Sequence, residues 1–201
     1  MQIFHVPGTR SVRPIWLCFE LGLEVDVVAI DFSPAYRDSA EWRAISPAGK
    51  VPALIDGEVR MFESGAMMDY IIENYAEGRL MPKAGSVDSA QYRQWSWFAE
   101  ATLIRPLGLY RVLRARKEPV HELIDEAERK FHDSLAAVET QLNGRPYLLG
   151  QDFCAADIMM GYSVGLTERL LDDRHPNLRA YLARLKNRPA YRRVTELSSE
   201  T

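Results

Sequence analysis

Asp56-Gly57 stands between two short apolar runs, Ala53-Leu54-Ile55 before it and Val59-Arg60-Met61-Phe62 after it. A two-residue Asp-Gly connection uses left-handed backbone that glycine adopts freely, and its twist matches antiparallel strands, so the stretch predicts a β-hairpin. Pro52 stands at the entrance. Proline has no N–H for a sheet ladder, and an X-Pro bond is the one place where a cis peptide is cheap. Val51 is therefore predicted to present unpaired backbone groups to a ligand that itself has a peptide-like backbone. Glu63 and Ser64 follow the second run directly and place a carboxylate and a hydroxyl at the next helix start.

The hairpin sits late in a half that mixes two rhythms. Gln2 to His5 and Val25 to Ile30 read as strands, while Pro14 to Leu21 has helical spacing and stops at Gly22. A short irregular helix is predicted around Ala40 to Ala44, and Ser64 opens a helix through Met67, Met68, Ile71 and Ile72. The order β-α-β then β-β-α gives a small mixed sheet with helices on its faces. GRLMPKAGSVDSA, Gly78 to Ala90, reads as a linker, and no convincing strand follows it. Helical spacing returns at Tyr92 to Leu103, then in a buried stripe of Leu123, Ala127, Phe131, Leu135, Val138 and Leu142, which Asn143-Gly144 ends. Further helices are predicted at about Ala155 to Leu171 and Leu178 to Asn187, with Pro176 and Pro189 as boundaries. The expected domains are 1–78 (mixed α/β) and 89–201 (all-α), joined by a linker over 79–88.

Composition excludes several classes. With 47% hydrophobic and 26% charged residues, the 201-residue chain has material for one sizeable core or two small ones. A net charge of -3, with arginines scattered among acids, argues against nucleic acid as a partner. No stretch approaches the roughly 20 apolar residues of a membrane span, and MQIFHVPGTR lacks the order of a signal peptide, so no membrane partner and a cytoplasmic location are expected. Cys18 and Cys154 lie far apart without a CxxC, which argues against a disulfide scaffold, a zinc site or a dithiol pair and predicts two buried apolar side chains. His5, His121, His132 and His175 have no ligand spacing, and no metal is expected.

Three motifs together carry a resemblance over Met1 to about Val194: SPAGKVPAL (Ser46 to Leu54), FESGAMMDYI (Phe62 to Ile71) and GQDFCAADIMMGY (Gly150 to Tyr162). The chain resembles the cytosolic glutathione S-transferases, in their bacterial serine/threonine-type form. The resemblance implies a thioredoxin-like N-terminal domain followed by an all-helical C-terminal domain, and a homodimer. It implies a transferase that activates the glutathione thiol, with glutathione as co-substrate rather than cofactor. Val51, beside a cis Pro52, would bind the cysteinyl unit through its main chain, and Lys50 would meet the glycyl carboxylate. Glu63 would pair with the ammonium group, and Ser64, read as a helix N-cap, would offer its hydroxyl and nearby N–H groups to the γ-glutamyl carboxylate.

The thiolate is the nucleophile in such chemistry, and its place is the N-terminus of the first helix, where N–H groups and the dipole favour an anion. Here that turn reads Pro7-Gly8-Thr9-Arg10-Ser11, with no tyrosine near the first strand and no cysteine at the turn. Two hydroxyls remain as thiolate donors, Ser11, slightly favoured, and Thr9; Ser11 is also placed to cap the helix, and Arg10 adds positive potential. The resemblance sets the electrophile against Trp97, Phe98, Leu103, Arg105, Leu109 and Tyr110, with Arg105 and Tyr110 suited to an acceptor that develops negative charge. Trp95 and Phe98 also fit a plain core role. Cys154 and Asp157 have capping-box spacing, which gives Asp157 a structural part. Two rivals stay open: a glutathione-dependent isomerase or dehalogenase acting on an acidic substrate such as a maleyl compound (maleylacetoacetate isomerase-like), and a non-catalytic binding protein. Retention of Val51-Pro52 and Glu63-Ser64 speaks against the scaffold.

Overall fold

A computed structural model describes residues 1–118 and 120–197. The chain divides into two units, one of Met1–Leu80 with the segment from Lys186 onward, the other of Met81–Leu185. In the first, β1 (Gln2–His5), α1 (Val12–Leu21) and β2 (Asp26–Ala29) form the expected β-α-β unit. Two short helices follow, α2 (Pro34–Arg37) and α3 (Ala40–Ile45), then β3 (Ala53–Asp56), β4 (Val59–Phe62) and α4 (Ser64–Tyr75). The sheet runs β2-β1-β3-β4, parallel between β1 and β2 and antiparallel elsewhere. Helix α2 was not predicted; Ser33 caps it by accepting from the Tyr36 N–H at 3.3 Å.

Apolar periodicity explains the packing of this unit. Ile15, Trp16, Leu17 and Cys18 of α1 and Met67, Met68 and Ile71 of α4 are buried, while Phe4, Trp42 and Ala53 form a cluster with Val28, Tyr36, Val51 and Ile55 packed around it. The last helix, α10 (Pro189–Glu196), packs on α1 within this same unit, whereas the sequence reading grouped 89–201 together. Tyr191 meets Trp16 edge-on at 4.8 Å, and Arg188 grips the Glu20 carboxylate at 2.6 and 2.7 Å. Asp56, at the hairpin turn, accepts from the hydroxyls of Tyr70 (2.9 Å) and Tyr75 and lies 3.7 Å from the N-terminal amine.

The second unit is helical throughout. Helix α5 (Val87–Trp97), capped by Ser86, runs through a π-helical stretch (Phe98–Leu103) into α6 (Ile104–Arg114). Then come α7 (His121–Gln141), α8 (Ala155–Gly165), a 3-10 turn (Glu168–Leu170) and α9 (Pro176–Lys186), so the helix expected to reach Leu171 ends at Gly165. The buried stripe of α7 starts at Ile124; Leu123 is 47% exposed, because the neighbouring position faces the core. Asp157 organises the unit: its carboxylate accepts from the N–H groups of Leu148 and Cys154 and from the Tyr181 hydroxyl, each at 2.9 Å. Burial pushes its carboxyl up, against the pull of those donors. Cys18 and Cys154 are both buried, as expected, and burial pushes the Cys18 thiol up to about 12.

Asp157→Ala orphans three buried donors and is expected to lower stability by about 3–5 kcal/mol in urea unfolding. A second expectation concerns acid. The Asp56 carboxyl is held below its usual value, chiefly by the Tyr75 hydroxyl. Its contribution is present above the unfolded carboxylate pKa of about 3.9 and is lost as pH falls through the lower folded value. Tyr75→Phe should therefore cost stability at neutral pH, and its deficit should shrink below about pH 4 in thermal melts.

Candidate functional site

Sheet register assembles the site from distant segments. Phe4 pairs with Ala53 and Ala53 with Phe62, so the end of β1, the start of β3 and the end of β4 share one edge of the sheet. The turn into α1, the loop into β3 and the start of α4 leave from that edge. This brings the Thr9–Ser11, Lys50–Pro52 and Glu63–Ser64 segments into one neighbourhood, and Arg13 Nη1 ties the first to the third by donating to Ser64 Oγ at 3.1 Å.

In the loop, the Val51–Pro52 peptide bond is cis. No hydrogen bond to the Val51 main chain is found among the described residues, and its side chain packs on the Phe4, Trp42 and Ala53 cluster. Lys50 is exposed and Pro52 buried. Ser46, fully buried, clamps the loop by donating to the Lys50 carbonyl at 2.7 Å and accepting the Lys50 N–H at 3.2 Å. Arg37 Nε donates to the Gly49 carbonyl at 3.3 Å, and Arg43 Nη1 to the Pro47 carbonyl at 2.7 Å. Sequence reasoning missed these supports, because two arginines in short helices carry no spacing signal.

At α4 the structure corrects one assignment. Ser64 is the first helical residue rather than the cap, it is buried, and its oxygen is occupied by Arg13. Glu63 holds the cap position at φ 77 with its side chain exposed and no side-chain capping bond. A non-glycine residue held at positive φ costs on the order of 1–3 kcal/mol and persists where the surroundings over-determine it, a feature that clusters at ligand sites. The first N–H groups of the helix have no acceptor four residues back, which suits them to a carboxylate.

The α1 turn corrects another. Ser11 was favoured as the thiolate donor, yet it is fully buried; its oxygen lies 2.8 Å from His5 Nδ1, 2.7 Å from Thr9 Oγ1 and 3.2 Å from the Val6 carbonyl. Nor does it cap α1 through its side chain, since its own backbone is already helical at φ -62, ψ -21. Thr9 and Arg10 are half-buried, so of the two hydroxyls only that of Thr9 retains solvent exposure. His5, given no role from sequence, is buried and bonded to Ser11.

In the helical unit, Arg105 and Tyr110 are not brought together. Five residues separate them, about 140° around a helix; Arg105 is exposed and Tyr110 is 7% exposed. Tyr110 instead joins Arg111, Arg114, Leu166 and Arg169 around a cavity of about 710 Å³. Arg114 donates to its hydroxyl at 2.8 Å, and Arg111 to the Leu166 carbonyl at 2.5 Å. Of the other expected lining residues, Leu103 is core, Phe98 is half-buried, and Trp97 and Leu109 are exposed at 69% and 53%. Trp95 is core, as expected.

A four-stranded mixed sheet of this order, continued by an all-helical unit, is a thioredoxin-like domain joined to a helical one. Residues 1–73 match the family profile "Glutathione S-transferase, N-terminal domain", and 122–184 match "Glutathione S-transferase, C-terminal domain". Glutathione S-transferase F10 of Arabidopsis thaliana is 30% identical over 208 residues, covering 97% of this chain and 96% of that protein. A solved ternary complex of BphK, a bacterial GST, superposes with TM-score 0.85 at 25% identity, covering 99% of this chain and 100% of that one. Glutathione transferase URE2P8 from Phanerochaete chrysosporium, solved with oxidized glutathione, reaches TM-score 0.88 at 20% identity, with 99% and 95% covered, a likeness of fold. The chain belongs to the glutathione S-transferase family.

The loop geometry yields a test. A Cβ on Gly49 (φ 62) would fall 2.8 Å from the Arg43 guanidinium carbon and 3.0 Å from the Arg37 carbonyl oxygen. Gly49→Ala is expected to cost about 1–2 kcal/mol in chemical unfolding, and Arg43→Ala in the same background to return part of it.

Proposed function

We propose that the protein is a glutathione transferase that activates the glutathione thiol for attack on an electrophilic carbon. The observation that carries this reading is the convergence at one sheet edge of an open main-chain rim at Val51, a helix start at Glu63-Ser64 and a hydroxyl-bearing helix start at Thr9. Glutathione is a tripeptide with an amine, two carboxylates and a thiol, and each group has a counterpart there. Val51 pairs with the cysteinyl main chain, Lys50 with the glycyl carboxylate, Glu63 with the ammonium group and the first N–H groups of α4 with the γ-glutamyl carboxylate. Thr9 donates to the sulfur, and Arg10 adds positive potential on the same turn. One donated hydrogen bond to an anion contributes roughly 1.5–3 kcal/mol, which lowers the thiol pKa by about one to two units. The thiolate then attacks carbon: a C–S bond forms, the bond to the leaving group breaks, and the thiol proton passes to solvent.

The fold relative solved with oxidized glutathione is consistent with a ligand of this class. A second reading, isomerisation or dehalogenation of an acidic compound, would draw on arginine side chains, and Arg111, Arg114 and Arg169 line a cavity with Tyr110 inside the helical unit. A cytoplasmic homodimer is the assembly this reading carries, and size-exclusion chromatography with light scattering tests the dimer.

The protein is expected to be retained on immobilised glutathione and to conjugate a generic aryl halide. Thr9→Val should lower kcat by about tenfold, Ser11→Ala by less, and Glu63→Gln should raise KM for glutathione by about tenfold, each near the effect of one charge-assisted hydrogen bond. Turnover only with a cis-enedioate would select the isomerase, and binding without any turnover the scaffold.

A further inference from the structure

Beside the sulfur position runs a buried chain of hydrogen bonds, and counting its protons gives it a direction. Ser11 Oγ is within reach of two nitrogens, the Val6 N–H at 3.4 Å and His5 Nδ1 at 2.8 Å. His5 Nε2 is buried and meets no hydrogen-bond partner among the described residues. An orphaned buried N–H is rarer and costlier than a bare lone pair, so the proton sits on Nδ1 and points at Ser11. Burial also lowers the imidazole's proton affinity, which keeps the ring neutral. With both lone pairs of Ser11 Oγ filled, its own proton must be donated, and Thr9 Oγ1 at 2.7 Å is the nearest acceptor. Thr9 Oγ1 also receives the Ser11 N–H at 3.4 Å. Thr9 is thus left with nothing to do but donate.

In the free protein that last proton rests on the Val6 carbonyl at 2.8 Å. The same carbonyl also accepts the Thr9 N–H at 3.3 Å, so it stays satisfied if the hydroxyl turns away. The Thr9 proton can therefore be re-aimed without orphaning a buried group. Without the His5 donor the chain can run backwards: Ser11 donates to the Val6 carbonyl at 3.2 Å and accepts from Thr9, which draws the Thr9 proton inward.

We propose that His5 is a positioning residue for thiol activation: by donating to Ser11 it holds the hydroxyl chain in the direction that frees the Thr9 O–H for the sulfur of bound glutathione. The inference rests on the glutathione reading above. Directional chains of this kind also polarise each successive donor, which strengthens the terminal bond.

The test titrates the ultraviolet absorbance of the thiolate in the protein–glutathione complex and measures kcat and KM separately. His5→Gln moves the amide to the place of Nε2 and loses the donor to Ser11, whereas His5→Asn keeps a nitrogen where Nδ1 stood. His5→Gln is expected to raise the bound thiol pKa by about one unit and lower kcat at neutral pH by about tenfold, with KM for glutathione within about twofold of wild type. His5→Asn is expected to restore most of both. Because His5 acts through Ser11, His5→Gln should change nothing further in a Ser11→Ala background. A wild-type thiol pKa in His5→Gln, additive losses in the double variant, or a raised thiol pKa in His5→Asn overturns the proposal. Should His5→Gln not fold, Ser11→Ala and His5→Asn decide, an unchanged thiol pKa in the former being fatal. If the wild-type protein binds no glutathione, or leaves its thiol at the solution pKa, the glutathione reading fails first and this inference falls with it.

Discussion

Pairing of β1 with β3, Phe4 against Ala53, is the constraint on which the site depends. A slip of one residue would exchange Ala53 and Leu54, both fully buried, between the two faces of the sheet, so the packing of a small and a large side chain on opposite faces holds the register. With that register set, the loop before β3 and the turn after β1 must emerge side by side. Pairing of β3 with β4 then brings the start of α4 to the same place. Three segments drawn from positions 9 to 64 thus meet at one edge with no requirement on the loops beyond their length. The Arg13 to Ser64 bond closes the arrangement by linking the helices that leave it.

Around that edge, supporting side chains hold the segments of the candidate site in place. Ser46, Arg37 and Arg43 hold the Lys50 loop through its carbonyls, leaving the Val51 main chain open. Burial makes such bonds count, because a clamp like Ser46 has no water to exchange with. Asp157 plays the corresponding role in the helical unit, where one carboxylate satisfies three buried donors at the start of α8.

Much of the fold was legible because its signals are local. Gly57, at φ 58, turns the hairpin, although the ladder takes Asp56 into β3 opposite Val59 and so shifts the two-residue turn one position on, to Gly57-Glu58. Gly22 ends α1 in left-handed backbone at φ 72, and the spacing of Ala127, Phe131, Leu135 and Val138 writes α7. Less legible were features that depend on what lies across from a residue. Leu123 and Ile124 are equally apolar neighbours, and only the facing helix decides which one is buried. Pro189 marked a boundary, yet nothing local shows that the helix after it packs on α1 through Tyr191 and Trp16.

The same division runs through the candidate site. Chain order alone determined the residue types: a Val-Pro before a hairpin, a Glu-Ser after it, two hydroxyls and no cysteine or tyrosine in the first turn. It also determined the two-part architecture, because period-two and period-3.6 apolar patterns cannot exchange. Which hydroxyl faces outward, which one is sealed against His5, and that Ser64 gives its oxygen to Arg13 were decided by tertiary structure. Sequence lists the donors and acceptors, but a hydrogen bond has direction and reach, and these exist only once packing has fixed which atoms lie within three ångströms and which have lost their water.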